Sequence, residues 1–119
     1  MFDSGVGGLW LYSALSKRFP SALFYYLSDG ENCPYGDRPI GEVKALALAC
    51  LKRYGAAYFD GVVVACNTLS TNALGYLEKA LGVRVTGVFP PVPKSEKAVI
   101  FATPLTARSP YLYPLRRRL

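Results

Sequence analysis

The chain has 119 residues, of which 51% are hydrophobic, and this is enough to bury a core in one globular domain. The formal net charge of +6 includes the terminal run Arg116, Arg117 and Arg118, and so short a basic run argues against nucleic-acid binding. No apolar run approaches the roughly 18 residues of a membrane span and no leader precedes a cleavage site, so we expect a soluble, cytoplasmic protein.

The first part of the chain predicts a helix, a strand and a loop. Residues 9–19 carry apolar side chains at near-helical spacing up to Pro20, and residues 22–27 form an apolar, aromatic run typical of a strand. Residues 28–39 are rich in Gly, Pro, Asp and Asn. They predict a loop that is long enough to bind a ligand.

The alternation of helices and strands continues along the chain. Residues 40–54 have one apolar stripe at helical period, and residues 61–65 are an apolar run of the kind buried in parallel sheets. Residues 70–81 return to helical period, while residues 83–89 and 98–102 are predicted strands. This order indicates an α/β fold with a doubly wound, mostly parallel sheet.

The thiol of Cys66 stands where the strand of residues 61–65 gives way to a helix start. The carboxyl ends of strands in open α/β sheets border ligand-binding crevices, and a helix amino end favours a thiolate. Cys66 is therefore a candidate nucleophile or base. A buried, apolar cysteine is the alternative interpretation.

The remaining candidates for acid–base chemistry are limited by composition. The chain has no His, which excludes Ser–His and Cys–His systems and the usual zinc sites. Cys33, Cys50 and Cys66 have no metal-ligand spacing, and an odd number of cysteines argues against a disulfide framework. We expect no metal, and chemistry that depends on a thiol or a carboxylate.

A carboxylate, a hydroxyl and a glycine turn occur together at residues 3–8, Asp-Ser-Gly-Val-Gly-Gly. Glycines let backbone amides approach a ligand closely, and the helix that follows attracts an anion. No Lys-Ser or Lys-Thr pair follows, so a nucleotide phosphate fits poorly. A ligand with a carboxylate fits better.

Three predicted loops leave the carboxyl edge of the sheet, at residues 3–8, 28–39 and 66–70. Their polar and turn residues are expected to lie together: Asp3, Ser4, Pro34, Tyr35, Gly36, Cys66, Asn67 and Thr68. Helix capping by Asn67, Thr68 and Ser70, and a common turn at Tyr35 and Gly36, are the alternative interpretations.

Three motifs in this order resemble those of the first half of glutamate racemase. They are Phe-Asp-Ser-Gly-Val-Gly-Gly-Leu at residues 2–9, Cys-Pro-Tyr-Gly at residues 33–36 and Val-Ala-Cys-Asn-Thr at residues 64–68. Residues 102–109 also resemble the segment that opens the second half of the family. The resemblance covers most of this chain but about half of a family member.

The resemblance implies a cofactor-independent isomerase that interconverts L- and D-glutamate for peptidoglycan synthesis in the cytoplasm. In that family two thiols on opposite faces of the substrate exchange the α-proton. Cys66 matches the thiol of the first half, and Asp3 matches the carboxylate that assists it. The residues that match substrate-binding positions are Ser4, Tyr35, Gly36, Asn67 and Thr68.

The chain also departs from the family pattern. The second thiol of the family has no counterpart, and the apolar residues that precede the first motif in the family, where they form a central strand, are missing. We therefore expect one racemase-type domain, truncated at both ends relative to the family, whose isolated activity is lost. We also expect the position of Asp3 to be poorly supported.

The resemblance divides the chain into three parts. Residues 1–89 would form the first domain with its substrate-binding loops, residues 90–97 a linker, and residues 98–119 the start of a second domain with a basic tail. Two alternatives to a glutamate racemase are a non-catalytic ligand-binding or interaction module and an aspartate racemase-like enzyme. A homo-oligomer or a complementing second-half chain is the expected partner.

Overall fold

The computed structural model describes residues 1–92, 94 and 97–116. Within these residues the strands are β1 (Phe2–Asp3), β2 (Leu27–Ser28), β3 (Gly61–Val64) and β4 (Arg84–Gly87). The helices are α1 (Leu9–Arg18), α2 (Ile40–Arg53), α3 (Asn67–Asn72), α4 (Leu74–Leu81), α5 (Pro104–Ala107) and α6 (Tyr113–Arg116). None of these helices is long and apolar enough to cross a membrane. Of the basic run at Arg116, Arg117 and Arg118, the last two residues lie outside the described part.

The four strands form one parallel sheet in the order β2-β1-β3-β4. The chain moves from β1 to β2 on one side and then crosses to β3 on the other side. Strand order therefore reverses between β1 and β3, and right-handed crossovers place α1 on one face of the sheet and the contacting helices α2 and α4 on the other. This confirms the predicted α/β fold with a parallel sheet, and a crevice is expected at the point of reversal.

The hydrophobic core lies around β1, β3 and the helices α2 and α4. Phe2 and Val64 are fully buried in the sheet, and Val43, Leu51 and Leu77 are buried on the helices that cover it. The apolar stripe predicted for residues 40–54 thus faces the core. Its last member, Tyr54, is 54% exposed because α2 ends at Arg53.

The expectation that the sheet lacks its middle strand is wrong. Phe2 and Asp3 form that strand by themselves, with Phe2 opposite Leu27 on one side and Val64 on the other. The backbone oxygen of Phe2 accepts a hydrogen bond from Ala65 N at 2.8 Å, and that of Asp3 accepts one from Asp29 N at 3.0 Å. Two residues are sufficient because both strand edges are paired.

The predicted strand at residues 98–102 is also wrong. The chain is irregular there, and Val99 and Phe101 are 80% and 95% exposed. A strand needs a partner edge, and no described strand lies beside these residues. Residues 22–27 likewise pair only at Leu27, because β1 offers two positions.

The predicted helix at residues 70–81 begins three residues earlier and is interrupted. The chain forms α3 from Asn67 and breaks at Ala73, whose φ of −140° is outside the helical range. The α4 helix then ends at Gly82, which has a φ of 70°, as expected for a glycine stop.

Ser70 joins the ends of β3 and β4, and this supports a test of sheet stability. Its buried hydroxyl donates to the Val64 oxygen at 3.2 Å and accepts from Val88 N at 3.1 Å. We expect Ser70→Ala to lower the free energy of unfolding by about 1–3 kcal/mol, because two hydrogen bonds are lost, one to the buried Val64 oxygen and one from the half-buried Val88 N–H. Urea denaturation measures this. Exposed Ser13 on α1 is the matched control, and equal midpoints for the two alanine variants would contradict the role of Ser70.

Candidate active site

A cleft of about 1020 Å³ opens at the carboxyl edge of the sheet, where strand order reverses. Its floor includes the end of β1 and the first residues after β3. Among the described residues, its ionisable lining residues are Asp3, Cys33 and Cys66, with no Lys or Arg. An apolar rim is supplied by Val6, Trp10, Phe89, Pro90, Pro91 and Phe101.

Cys66 lies two residues beyond the end of β3 and directly before α3. Its side chain is 7% exposed, and its Sγ lies 3.6 Å from the Ser4 Oγ. The thiol is therefore buried yet borders the cleft. This combines the two interpretations of Cys66, since it packs against the core and also faces a space where a ligand could bind.

Asp3 ends β1 and is held by donors from three directions. Its Oδ1 accepts from the Ser4 backbone N at 2.8 Å, and its Oδ2 accepts from Gly8 N at 2.8 Å and the Tyr26 hydroxyl at 3.0 Å. Gly8 precedes α1, so Oδ2 accepts from the amino end of that helix. The carboxylate is 5% exposed and borders the cleft beside Cys66.

The close approach of Gly8 to its neighbours makes this geometry possible. A Cβ at position 8 would lie 2.4 Å from the Ala65 Cβ, 3.0 Å from Asp3 Oδ2 and 3.1 Å from the Tyr26 hydroxyl. The turn of residues 3–8 therefore requires glycine here for packing. It does not require a positive φ, because Gly8 has a φ of −83°.

Asn67 and Thr68 begin α3 at the wall of the cleft, but neither caps the helix. The Asn67 side chain is exposed and makes no hydrogen bond within the described residues. The buried Thr68 hydroxyl lies 3.1 Å from the Thr103 hydroxyl and 3.4 Å from that of Thr106. Capping therefore does not explain Asn67 or Thr68. The Ser70 hydroxyl instead joins β3 to β4.

Pro34, Tyr35 and Gly36 do not line the cleft, in contrast to the other predicted site residues. Tyr35 is 1% exposed, packs its ring 6.5 Å from that of Phe2, and donates its hydroxyl to Asp29 Oδ2 at 2.5 Å. Gly36 is covered by Thr103, whose Cβ lies 2.4 Å from where a Cβ of residue 36 would be. Their predicted contact with a substrate remains a prediction.

Comparison with known proteins identifies the relatives of this chain. It is 36% identical over 126 residues to a glutamate racemase of Vibrio vulnificus, covering 98% of this chain and 47% of that protein. It is 38% identical over 91 residues to a glutamate racemase of Staphylococcus aureus, covering 76% and 34%. No protein-family model matches the sequence.

Solved structures agree with the sequence comparison. Glutamate racemase from Aquifex pyrophilus superposes with a TM-score of 0.68 at 40% identity, over 72% of this chain and 34% of that one. A glutamate racemase isoform from Bacillus anthracis gives a TM-score of 0.66 at 36% identity, over 72% and 32%. The chain belongs to the glutamate racemase family. It spans about half the length of the Vibrio protein and about a third of the others.

The structure adds three residues to those that the racemase resemblance indicated. Tyr26 bonds to Asp3, while Thr103 and Thr106 bond to Thr68 and to each other, at 3.0 Å between their hydroxyls. The sequence Thr-Pro-Leu-Thr at residues 103–106 is a helix-start signal, and Thr103 does cap α5. That local signal could not indicate that the cap also contacts Thr68.

Gly8 supports a direct test of the packing beneath this candidate site. We expect Gly8→Ala to destabilise the fold by about 1–3 kcal/mol, because the added methyl would overlap Ala65 and press on Asp3. Thermal unfolding measures the change. The control is Gly41→Ala in α2, where nothing lies within 4 Å and alanine is expected to stabilise by about 0.4–1 kcal/mol. Equal shifts in the two variants would contradict the packing.

Tyr35 supports a test of pH dependence. Burial and the hydrogen bond donated to Asp29 raise the pKa of Tyr35 above its ordinary value of 10.0. The folded state then holds the proton more tightly, so this contribution to stability is complete below pH 10 and is lost as the pH rises above it. Tyr35→Phe should lower stability by about 1–3 kcal/mol at neutral pH, because Asp29 loses a donor.

The measurement is urea denaturation of Tyr35→Phe at neutral pH and above pH 10. Wild type should lose stability more steeply with alkaline pH than the variant, which has no proton to release at this position. Tyr58→Phe, at a residue that is 93% exposed, is the control and should behave as wild type. If Tyr35→Phe lost as much stability at alkaline pH as wild type does, another group would be the cause of that loss.

Proposed function

We propose that this protein takes part in the cofactor-independent interconversion of L- and D-glutamate, with Cys66 as the base on one face of the substrate. One observation carries the proposal. A buried thiol stands at the carboxyl edge of the sheet, 3.6 Å from the Ser4 hydroxyl and in one cleft with the Asp3 carboxylate. The relatives that share this fold are named glutamate racemases.

The proposed chemistry is a proton transfer at the substrate's α-carbon. The Cys66 thiolate takes the α-proton, the C–H electron pair remains on the α-carbon, and that charge spreads into the adjacent carboxylate of the substrate. Asp3 assists the thiol. Return of a proton from the same face gives exchange with solvent, and return from the opposite face gives the other enantiomer.

The substrate-binding roles are assigned to residues around this thiol. Ser4, Asn67 and Thr68 line the cleft with hydroxyl and amide groups that can hold a carboxylate or an ammonium group. Asn67 is the best placed of the three, because its side chain is exposed and has no partner within the described residues. Tyr35 and Gly36 would act through the shape of their loop, since neither lines the cleft.

The acid for the opposite face would come from across the open side of the cleft. Three sources would place it there: further sequence of the same polypeptide, a second copy of this chain, or a separate chain that carries the other half of a racemase. We propose a cytoplasmic enzyme that supplies D-glutamate for peptidoglycan, and the three free cysteines are compatible with a reducing compartment.

A non-catalytic binding or interaction module is the second candidate, and the rim of the cleft favours it. Val6, Trp10 and Phe101 are 70%, 68% and 95% exposed around one opening. Exposed apolar residues grouped at one place often mark a binding surface. Gel filtration with light scattering, together with glutamate titration by calorimetry, tests this candidate. A monomer without affinity for glutamate would overturn it.

The catalytic proposal predicts exchange of the α-proton in deuterated water. We expect purified chain to exchange one enantiomer of glutamate, because one thiol serves one face, and we expect Cys66→Ala to slow exchange by about 100-fold or more. Proton NMR measures the loss of the α-proton signal. Cys50→Ala is the control, since Cys50 lies on α2 and does not line the cleft.

Two outcomes would change the assignment. Exchange that survives Cys66→Ala would exclude Cys66 as the base. Faster exchange of aspartate than of glutamate would favour the aspartate racemase-like alternative over the glutamate-specific one.

A further inference from the structure

Tyr26 is a residue behind the cleft whose hydroxyl reaches Asp3. It lies in the segment immediately before β2, and its ring packs edge-on against Tyr12 of α1, with centroids 6.0 Å apart and an interplanar angle of 84°. Its hydroxyl lies 3.0 Å from Asp3 Oδ2 and 3.1 Å from the Gly5 oxygen. A tyrosine has one hydroxyl hydrogen, so these two acceptors share it.

The surroundings leave this hydroxyl little freedom. Position 8 must be glycine partly because a Cβ there would lie 3.1 Å from the Tyr26 oxygen. The ring is fixed by its contact with Tyr12, and the segment is fixed by the pairing of Leu27 with Phe2. Tyr26 therefore presents its hydroxyl to Asp3 from a rigid support.

The electrostatics at Tyr26 connect it to the thiol as well as to the carboxylate. Burial, then the charge of Asp3 and the hydrogen bond to it, raise the pKa of Tyr26 to about 12, and Cys66 makes a smaller contribution in the same direction. The hydroxyl therefore stays protonated, as a donor, at neutral pH. The titratable groups around Cys66 are Asp3 and Cys33 in the lining, with Tyr26 and Tyr35 behind it.

We propose that Tyr26 is a positioning residue, which holds the Asp3 carboxylate in place and partly neutralises its charge, so that the Cys66 thiolate can form beside it. The proposal rests on the proposed function of Asp3 and Cys66. Without the tyrosine hydroxyl, Oδ2 keeps only the Gly8 N–H, and the carboxylate exerts a stronger negative potential on the groups around it. A stronger negative potential disfavours the thiolate of Cys66.

The test compares Tyr26→Phe with wild type by the rate at which iodoacetamide alkylates Cys66, followed by mass spectrometry of the Cys66 peptide. Phenylalanine keeps the ring and its contact with Tyr12 while removing the O–H. We expect alkylation at about pH 8 to slow by about threefold or more, because less of the thiol is ionised. Tyr12→Phe is the matched control, since the Tyr12 ring forms the other half of the same ring contact while its hydroxyl does not bond to Asp3.

A double-mutant cycle shows whether the effect passes through Asp3. In an Asp3→Asn background, adding Tyr26→Phe should leave the Cys66 alkylation rate unchanged. In the exchange assay, Tyr26→Phe should lower the maximal rate without changing the glutamate concentration at half-saturation. A variant that loses thermal stability but alkylates at the wild-type rate would show a merely structural role and overturn the proposal.

A measurement on the wild-type protein covers the case in which Tyr26→Phe does not fold. As the pH is raised, ionisation of Cys66 is measured by thiolate absorbance, and the ¹³Cζ resonance of Tyr26 should shift over the same pH range. In Cys66→Ser the resonance should stay constant over that pH range. A constant resonance in wild type would overturn the proposal. The alkylation and NMR measurements do not require turnover. Absence of α-proton exchange in the wild-type chain would therefore count against the racemase function, whereas the proposed role of Tyr26 would still be tested by alkylation and NMR.

Discussion

The pairing of β1 with strands on both sides is the interaction on which the rest of this structure depends. Phe2 is opposite Leu27 on one side and Val64 on the other, and its side chain is fully buried. Strand order reverses beside β1, so the connections that follow β1 and β3 lead to opposite sides, and a crevice opens between the carboxyl ends of these two strands. Asp3 and Cys66 border that crevice because Asp3 ends β1 and Cys66 lies two residues beyond the end of β3.

Hydrogen-bond donors to Asp3 hold its carboxylate in one orientation at the crevice. A buried carboxylate is costly unless hydrogen bonds satisfy it, and Asp3 receives bonds from Ser4 N, Gly8 N and the Tyr26 hydroxyl. These donors come from the glycine turn and from the segment before β2. The same contacts therefore stabilise the fold and orient the carboxylate beside the Cys66 thiol. This explains why a side chain at position 8 would disturb both.

Residues 103–112 pack beside the site, where Thr103 and Thr106 line the cleft and α5 contacts α3. Thr103 caps α5, covers Gly36 and shares hydrogen bonds with Thr68. Further along, the Tyr111 ring lies 4.9 Å from that of Phe89, and its hydroxyl donates to the Pro90 oxygen at 2.9 Å. The assignment of residues 98–119 to the start of a second domain remains a prediction. Their described part packs against the first 90 residues through these contacts.

The sequence by itself determined the helices α1 and α2, the buried strand before Cys66 and the presence of a thiol and a carboxylate at one sheet edge. The spacing of apolar residues and the positions of glycine turns are local properties of the sequence, so they can be interpreted without knowing which segments pack together. Only the tertiary structure decided which strands pair, because a strand needs an edge that lies far away in sequence. It also decided that Tyr35 turns into the core, that Thr68 bonds to Thr103, and that Tyr26 bonds to Asp3. Such contacts join side chains 6 to 35 positions apart, and their partners are chosen by how the sheet brings the segments together.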